Sequence, residues 1–133
     1  MEFTPFIEQW FESSPFGGRM GFELAGLAPD RAEVRLPFAA ANSTQGEVLH
    51  GGAIAALIDV AGTTAAFAGD APSAAGATIG MTVDYIRAAR GQDLLAVGRV
   101  LRRAGGLCFS EVDVRDPDDR LVAKGLVTYR YAV

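Results

Sequence analysis

From Leu49 to Gly69 the chain reads LHGGAIAALIDVAGTTAAFAG, an apolar run interrupted by a single carboxylate, Asp59. A surface helix pairs an apolar stripe with a charged face. Here Ala53, Ile54, Ala55, Ala56, Leu57, Ile58, Val60 and Ala61 leave no polar face, so the run is predicted as a helix wrapped by the rest of the fold. Upstream, Phe3, Phe6, Ile7, Trp10 and Phe11 recur at helical spacing and the run stops at Ser13-Ser14-Pro15, which predicts a short amphipathic helix within an N-terminal segment, residues 1–18.

The remaining pattern is that of strands. Gly21 to Ala28 and Arg31 to Phe38 are joined by a turn at Pro29-Asp30, and in the second Ala32, Val34 and Leu36 alternate with Arg31, Glu33 and Arg35. A polar loop, Ala39 to Val48, delivers the chain to His50. After a Pro- and Ala-rich connection, 70–76, four strands are predicted over Thr78–Arg87, Asp93–Arg103, Leu107–Arg115 and Leu121–Tyr131. Ile79, Met81, Val83 and Tyr85 are expected on one face of the first of them. Ala104-Gly105-Gly106 forms one turn, and Asp116-Pro117-Asp118-Asp119 has the chemistry of a type I turn. Two strands, a buried helix and a four-strand meander define an α+β fold, an antiparallel sheet curved around a long central helix. Gly98 and Gly125 mark places where the sheet bends or is closely approached.

A chain of 133 residues, half of them hydrophobic, forms one domain with a proper core, 1–133. Its net charge of −4 argues against nucleic-acid binding, which requires a basic surface. No membrane span is expected, because the apolar run is broken by Asp59 and lacks flanking Lys or Arg. The start, Met1-Glu2-Phe3-Thr4-Pro5, does not resemble a secretion signal, and a cytoplasmic setting is expected. One cysteine, Cys108, makes no intrachain disulfide, and one histidine gives neither a metal cluster nor a Ser-His-Asp triad.

Two features carry candidate chemistry. A sequestered carboxylate is costly unless it finds partners or shifts its pKa, and such groups concentrate at functional sites, so Asp59 is the first candidate for a base or nucleophile. His50-Gly51-Gly52 places two residues without side chains at the start of the same helix, where backbone N–H groups lack intrahelical partners and can polarise a carbonyl. Asp59 lies eight positions beyond Gly51, roughly 12 Å along a helix axis. That is too far for both to touch one reacting carbon. If the two cooperate, the protein is a homodimer in which the helix start of one chain faces Asp59 of the other.

The pattern H-G-G-x6-D on a buried helix resembles the hotdog-fold acyl-CoA thioesterases, in particular the phenylacetate-degradation type. The resemblance extends through Thr78-Ile79, Asp84-Tyr85-Ile86-Arg87-Ala88-Ala89-Arg90-Gly91 and Leu121-Val122-Ala123-Lys124-Gly125. It implies a hotdog fold and hydrolysis of an acyl- or aryl-acyl-CoA, with no cofactor beyond the coenzyme A of the substrate. Asp59 would be the catalytic base or nucleophile, Gly51 the amide donor to the thioester oxygen, and Thr78 the hydroxyl that holds water near the carboxylate. Gly52 is expected to contribute to substrate binding, and His50 to fix the loop or to act at the reacting group. Two departures stand out. An acidic residue common two places after the threonine is Gly80 here, and the asparagine many relatives carry six places before the histidine is Thr44, so that its polar role passes to Asn42, to Gln45 or to neither. The aromatic face of the N-terminal helix would cover the sheet or line the acyl tunnel. Pairing of dimers into a homotetramer is also implied.

Charge placement fits a nucleotide-bearing substrate. Arg87, Arg90, Arg99, Arg102 and Arg103 fall between Tyr85 and Arg103 against one acid, Asp93, and guanidinium forks match phosphate oxygens. By the resemblance, Arg87 and Arg90 lie near the coenzyme A phosphates. A non-catalytic acyl-CoA sensor on the same fold remains open, as does an enoyl-CoA hydratase, which the lack of a local Asp–His dyad disfavours.

Overall fold

The long apolar run forms a helix and the alternating segments form one sheet around it. The computed structural model describes residues 1–132. In chain order these comprise α1 (Thr4–Ser13), α2 (Pro15–Met20), β1 (Glu23–Ala28), β2 (Arg31–Leu36), a short 3-10 turn (Ala40–Asn42), α3 (Gly51–Phe67), β3 (Gly76–Tyr85), β4 (Leu94–Ala104), β5 (Leu107–Arg115) and β6 (Leu121–Tyr131). The strands make a six-stranded antiparallel sheet ordered β1-β2-β4-β5-β6-β3, curved against α3. Leu57, Ile58 and Ala61 of α3 are fully buried against Val34, Leu36, Ala96, Val112, Val114 and Val127.

Glycine sets how close helix and sheet can come. A methyl group at Gly98 would lie 2.4 Å from the Ala61 carbonyl oxygen, one at Gly125 2.5 Å from Ile58 Cγ2, and one at Gly62 2.8 Å from Val127 Cγ2. Of the two roles expected for Gly98 and Gly125, close approach is the one the packing shows.

Two local features differ from the sequence reading. The helix is not enclosed on every side: Gly51, Ala55, Asp59 and Thr63, four residues apart and hence on one face, are only partly buried, whereas the sheet-facing positions are covered. The first helix ends at Ser13, at the stop expected from Ser13-Ser14-Pro15. Pro15 then starts α2, because its missing N–H falls where a helix needs none, and the Ser14 side chain caps that helix by accepting from the Gly17 N–H at 3.2 Å. In β3, a bulge between Thr78 and Gly80 pairs Thr78 with Tyr129 but Met81 with Val127. The extra residue shifts the face on which side chains fall. Thr78, Met81, Val83 and Tyr85 therefore share the helix-facing side, and Ile79, expected with them, is the displaced residue and is 56% exposed.

The backbone carbonyl of Ala61 cannot swing aside, so Gly98→Ala is expected to destabilise the fold by about 1–3 kcal/mol. A urea titration should show a lower midpoint with unchanged slope. An unchanged midpoint would mean that the helix sits further from the sheet.

Candidate active site

The bulge in β3 determines what Asp59 meets. It turns Thr78 toward α3, and Thr78 Oγ1 donates to Asp59 Oδ1 at 2.7 Å. The half-buried carboxylate stands in the wall of a cleft of about 510 Å³. Phe6, Trp10 and Phe11 of α1 and Phe16 of α2 form one side, Thr63 and Phe67 of α3 another, and Tyr129 of β6 closes it. The N-terminal helix packs through Ile7 into a core cluster with Phe67, Tyr129 and Tyr131, while Phe6, Trp10 and Phe11 line the cleft. Thr63 Oγ1 donates back to the Asp59 backbone carbonyl at 2.8 Å, and Thr64 Oγ1 to that of Val60 at 2.6 Å. Burial, and after it the negative charge of Asp59, raise the Tyr129 phenol above its ordinary pKa.

At the start of α3 the backbone donors divide between two fates. His50 is the N-cap, and its Nδ1 accepts from the Gly52 N–H at 2.8 Å. That bond requires Nδ1 to be unprotonated, which places the ring proton of the neutral imidazole on Nε2. Gly52, expected to bind substrate, has its amide occupied within the chain. The Gly51 N–H has no hydrogen-bond partner among the described residues and is the amide left for a ligand. Tyr85 Oη donates to the Gly51 carbonyl at 2.7 Å, and its ring lies so close that a methyl group on Gly51 would be 3.3 Å from Tyr85 Cζ.

The loop before His50 is likewise built from within. Asn42, one of the expected substrate contacts, gives its side-chain amide to the Met20 carbonyl at 3.3 Å, and its backbone carbonyl accepts from the His50 N–H at 2.8 Å. It braces the loop and lines neither the cleft beside Asp59 nor the one at Gly51. Thr44 binds the Val48 carbonyl through its own hydroxyl, and Gln45 is exposed.

Gly51 lines a second cleft, of about 290 Å³, with Tyr85, Ile86 and Arg87, and Asp59 is not part of it. The two features expected to cooperate thus open into different clefts of one chain. The arginines also divide. Arg99 pairs with Glu111 at 2.7 Å, and Arg103 pairs with Asp30 and donates to the carbonyls of Ala65, Ala66 and Ala68 at the end of α3. Arg87 and Arg90 are exposed and form no ion pair among the described residues. A bridge between Val48 and Arg90 holds the second of them beside the loop that leads to His50.

A curved six-stranded sheet against a long helix, with a carboxylate in the helix and a bare amide at its start, is the hotdog fold. Residues 46–123 match the thioesterase superfamily model, and the chain belongs to that superfamily, whose members hydrolyse thioesters. It is similar to the conserved protein PA5202 of Pseudomonas aeruginosa, with 33% identity over 90% of this chain and 95% of that one and a TM-score of 0.84. The fold is shared with the PaaI protein from the phenylacetic acid degradation operon of E. coli, at 17% identity, 95% and 90% coverage and a TM-score of 0.84. It is shared too with a hypothetical thioesterase protein of Streptococcus pneumoniae solved with coenzyme A, at 18% identity, 84% and 85% coverage and a TM-score of 0.75.

Two tyrosines at the site carry no role in the sequence reading, although Tyr85 lies in a motif of the resemblance. Tyr85 and Tyr129 read as ordinary strand aromatics, and only the register shows which groups they face. The imidazole cap is testable: His50→Ala should lower stability by about 0.5–2 kcal/mol, the range for losing an N-cap acceptor. Thermal unfolding would read the change, and an unaltered midpoint would show that the Gly52 bond contributes nothing.

Proposed function

We propose that the protein is an acyl-CoA thioesterase acting as a homodimer with shared active sites. The observation that carries this reading is the Asp59 carboxylate, held by Thr78 at 2.7 Å in the wall of a largely aromatic cleft that takes an acyl group. The thioester oxygen binds the free Gly51 N–H of the second subunit. Asp59 acts as general base: a water oxygen bonds to the carbonyl carbon, its proton passes to Asp59, the C–S bond breaks, and the proton goes on to the departing thiolate. The products are a carboxylic acid and free coenzyme A. No metal or redox group enters the scheme.

Support for the dimer comes from the edge of the sheet. One edge of β3 is unpaired, and near it Ile79 and Ile86 are each 56% exposed. Long exposed apolar edges are what monomeric proteins avoid. Beside that edge runs the open stripe of α3, Gly51, Ala55, Asp59 and Thr63, which a second copy would cover. Leu101, Phe109 and Leu126 give the convex side an apolar patch on which dimers can pair into a tetramer. Arg87 and Arg90, unpaired and next to the Gly51 cleft, are the groups assigned to the coenzyme A phosphates.

Hybrid dimers test the shared site. Asp59→Asn should lower kcat by ~10²–10⁴-fold, the usual contribution of a general base. Gly51→Pro removes the amide hydrogen at a helix position where proline is accepted, and His50 before it already has the extended backbone proline requires; its ring must push the exposed Tyr85 side chain aside by a few tenths of an ångström, and its loss of rate should be ~10²–10³-fold. Mixing the two inactive proteins should restore activity, because each hybrid contains one site with neither change. Failure of mixing to restore turnover, once subunit exchange is verified, rejects the shared site. Acyl-CoA binding by the parent protein without turnover would instead favour a sensor. For the nucleotide end, Arg87→Ala with Arg90→Ala should raise KM for an acyl-CoA about tenfold, as for a lost charged hydrogen bond. Hydrolysis of the same acyl group on pantetheine should be unaffected, and equal losses on both substrates would remove the arginines from the phosphate site.

A further inference from the structure

The cleft beside Asp59 contains a second polar group to which no role has been given. Tyr129 is 7% exposed and lines the cleft, yet its hydroxyl makes no hydrogen bond among the described residues. Among those residues no fully enclosed side-chain oxygen or nitrogen lacks a partner. The Tyr129 oxygen must therefore reach the space of the cleft itself. The residue is nine-tenths buried, and a hydroxyl that opens from it into a cavity without a protein partner is unfavourable unless something there completes its hydrogen bond.

Register places the root of its side chain beside the residue that holds the carboxylate. Tyr129 is the cross-strand partner of Thr78 on the helix-facing side, and Thr78 is the residue that holds Asp59 Oδ1. Cross-strand partners stand about 4.5–5.5 Å apart at Cβ. Of the other hydroxyls lining the cleft, Thr63 and Thr64 donate to helix carbonyls. We infer that the Tyr129 hydroxyl positions the attacking water, donating to the water oxygen while that water gives a proton to the free Oδ2 of Asp59. This rests on the general-base reading above. The balance is unchanged by it: the C–O bond forms, the C–S bond breaks, the proton travels through Asp59, and Tyr129 keeps its own. The same burial and charge that raise its pKa hold the phenol in its donor form.

Tyr129→Phe keeps the ring that packs edge-on against Phe67 at 5.2 Å and Tyr131 at 5.5 Å, so the fold should persist. With aliphatic and aryl acyl-CoAs alike, kcat should fall about tenfold, the rate equivalent of one net hydrogen bond, with KM changed less than about twofold. An unaltered kcat overturns the assignment. So does a loss confined to KM or to one kind of acyl group, which would make Tyr129 an acyl contact. Should the phenylalanine variant not fold, 3-fluorotyrosine at position 129 preserves the shape and makes the hydroxyl more acidic; kcat should then shift at unchanged KM, and an identical kcat overturns the assignment. Absence of turnover in the unmodified protein would sink the thioesterase reading, whereas normal turnover with an indifferent Tyr129→Phe would sink only this one.

Discussion

An ionised carboxylate in a helix packed into a sheet is tolerated only where the fold leaves it an opening and supplies a donor. Asp59 has both. The open stripe of α3 gives it a cleft, and one extra residue in β3 gives it Thr78. In a regular strand Thr78 would share a face with Gly80 and Thr82, away from the helix. The bulge is thus a component of the site, consistent with the tendency of bulges to re-aim side chains near functional groups.

Close contact between helix and sheet makes this arrangement rigid. Gly98, Gly125 and Gly62 remove side chains where α3 crosses the strands, so the helix lies with its carbonyls almost against the sheet. A helix seated that tightly holds its two functional points, the start at Gly51 and the side chain at Asp59, at a separation of roughly 12 Å. Neither can move to meet the other within one chain. In the proposed dimer, a second copy would cover both the exposed edge of β3 and the open stripe.

The start of α3 is organised by selective occupation of donors. An anion or carbonyl could compete for several unpaired amides at a bare helix end. His50 takes one of them, Asn42 and Tyr85 brace the turn through backbone carbonyls, and the Gly51 N–H is left. Among the arginines the same sorting applies, with Arg99 and Arg103 used by the fold while Arg87 and Arg90 stay free beside the helix start.

Much of this was readable from residue order alone. Strand alternation in Ala32, Val34 and Leu36, the turn at Asp116-Pro117 and the apolar run around Asp59 depend on local periodicity and turn chemistry, which the chain carries in its own spacing. The position of Asp59 relative to Gly51 was also legible, because helical rise is constant, and it calls for a second subunit if the two are to share one reacting carbon. What tertiary structure decided were matters of register and competition. Whether Thr78 faces Asp59 depends on a bulge that alternation cannot reveal. Which glycine amide stays free depends on an imidazole two residues away, and whether Asn42 serves substrate or loop depends on the Met20 carbonyl reaching it from outside the motif. Such outcomes belong to partners distant in sequence or alternative in geometry, and only the folded chain brings them into contact.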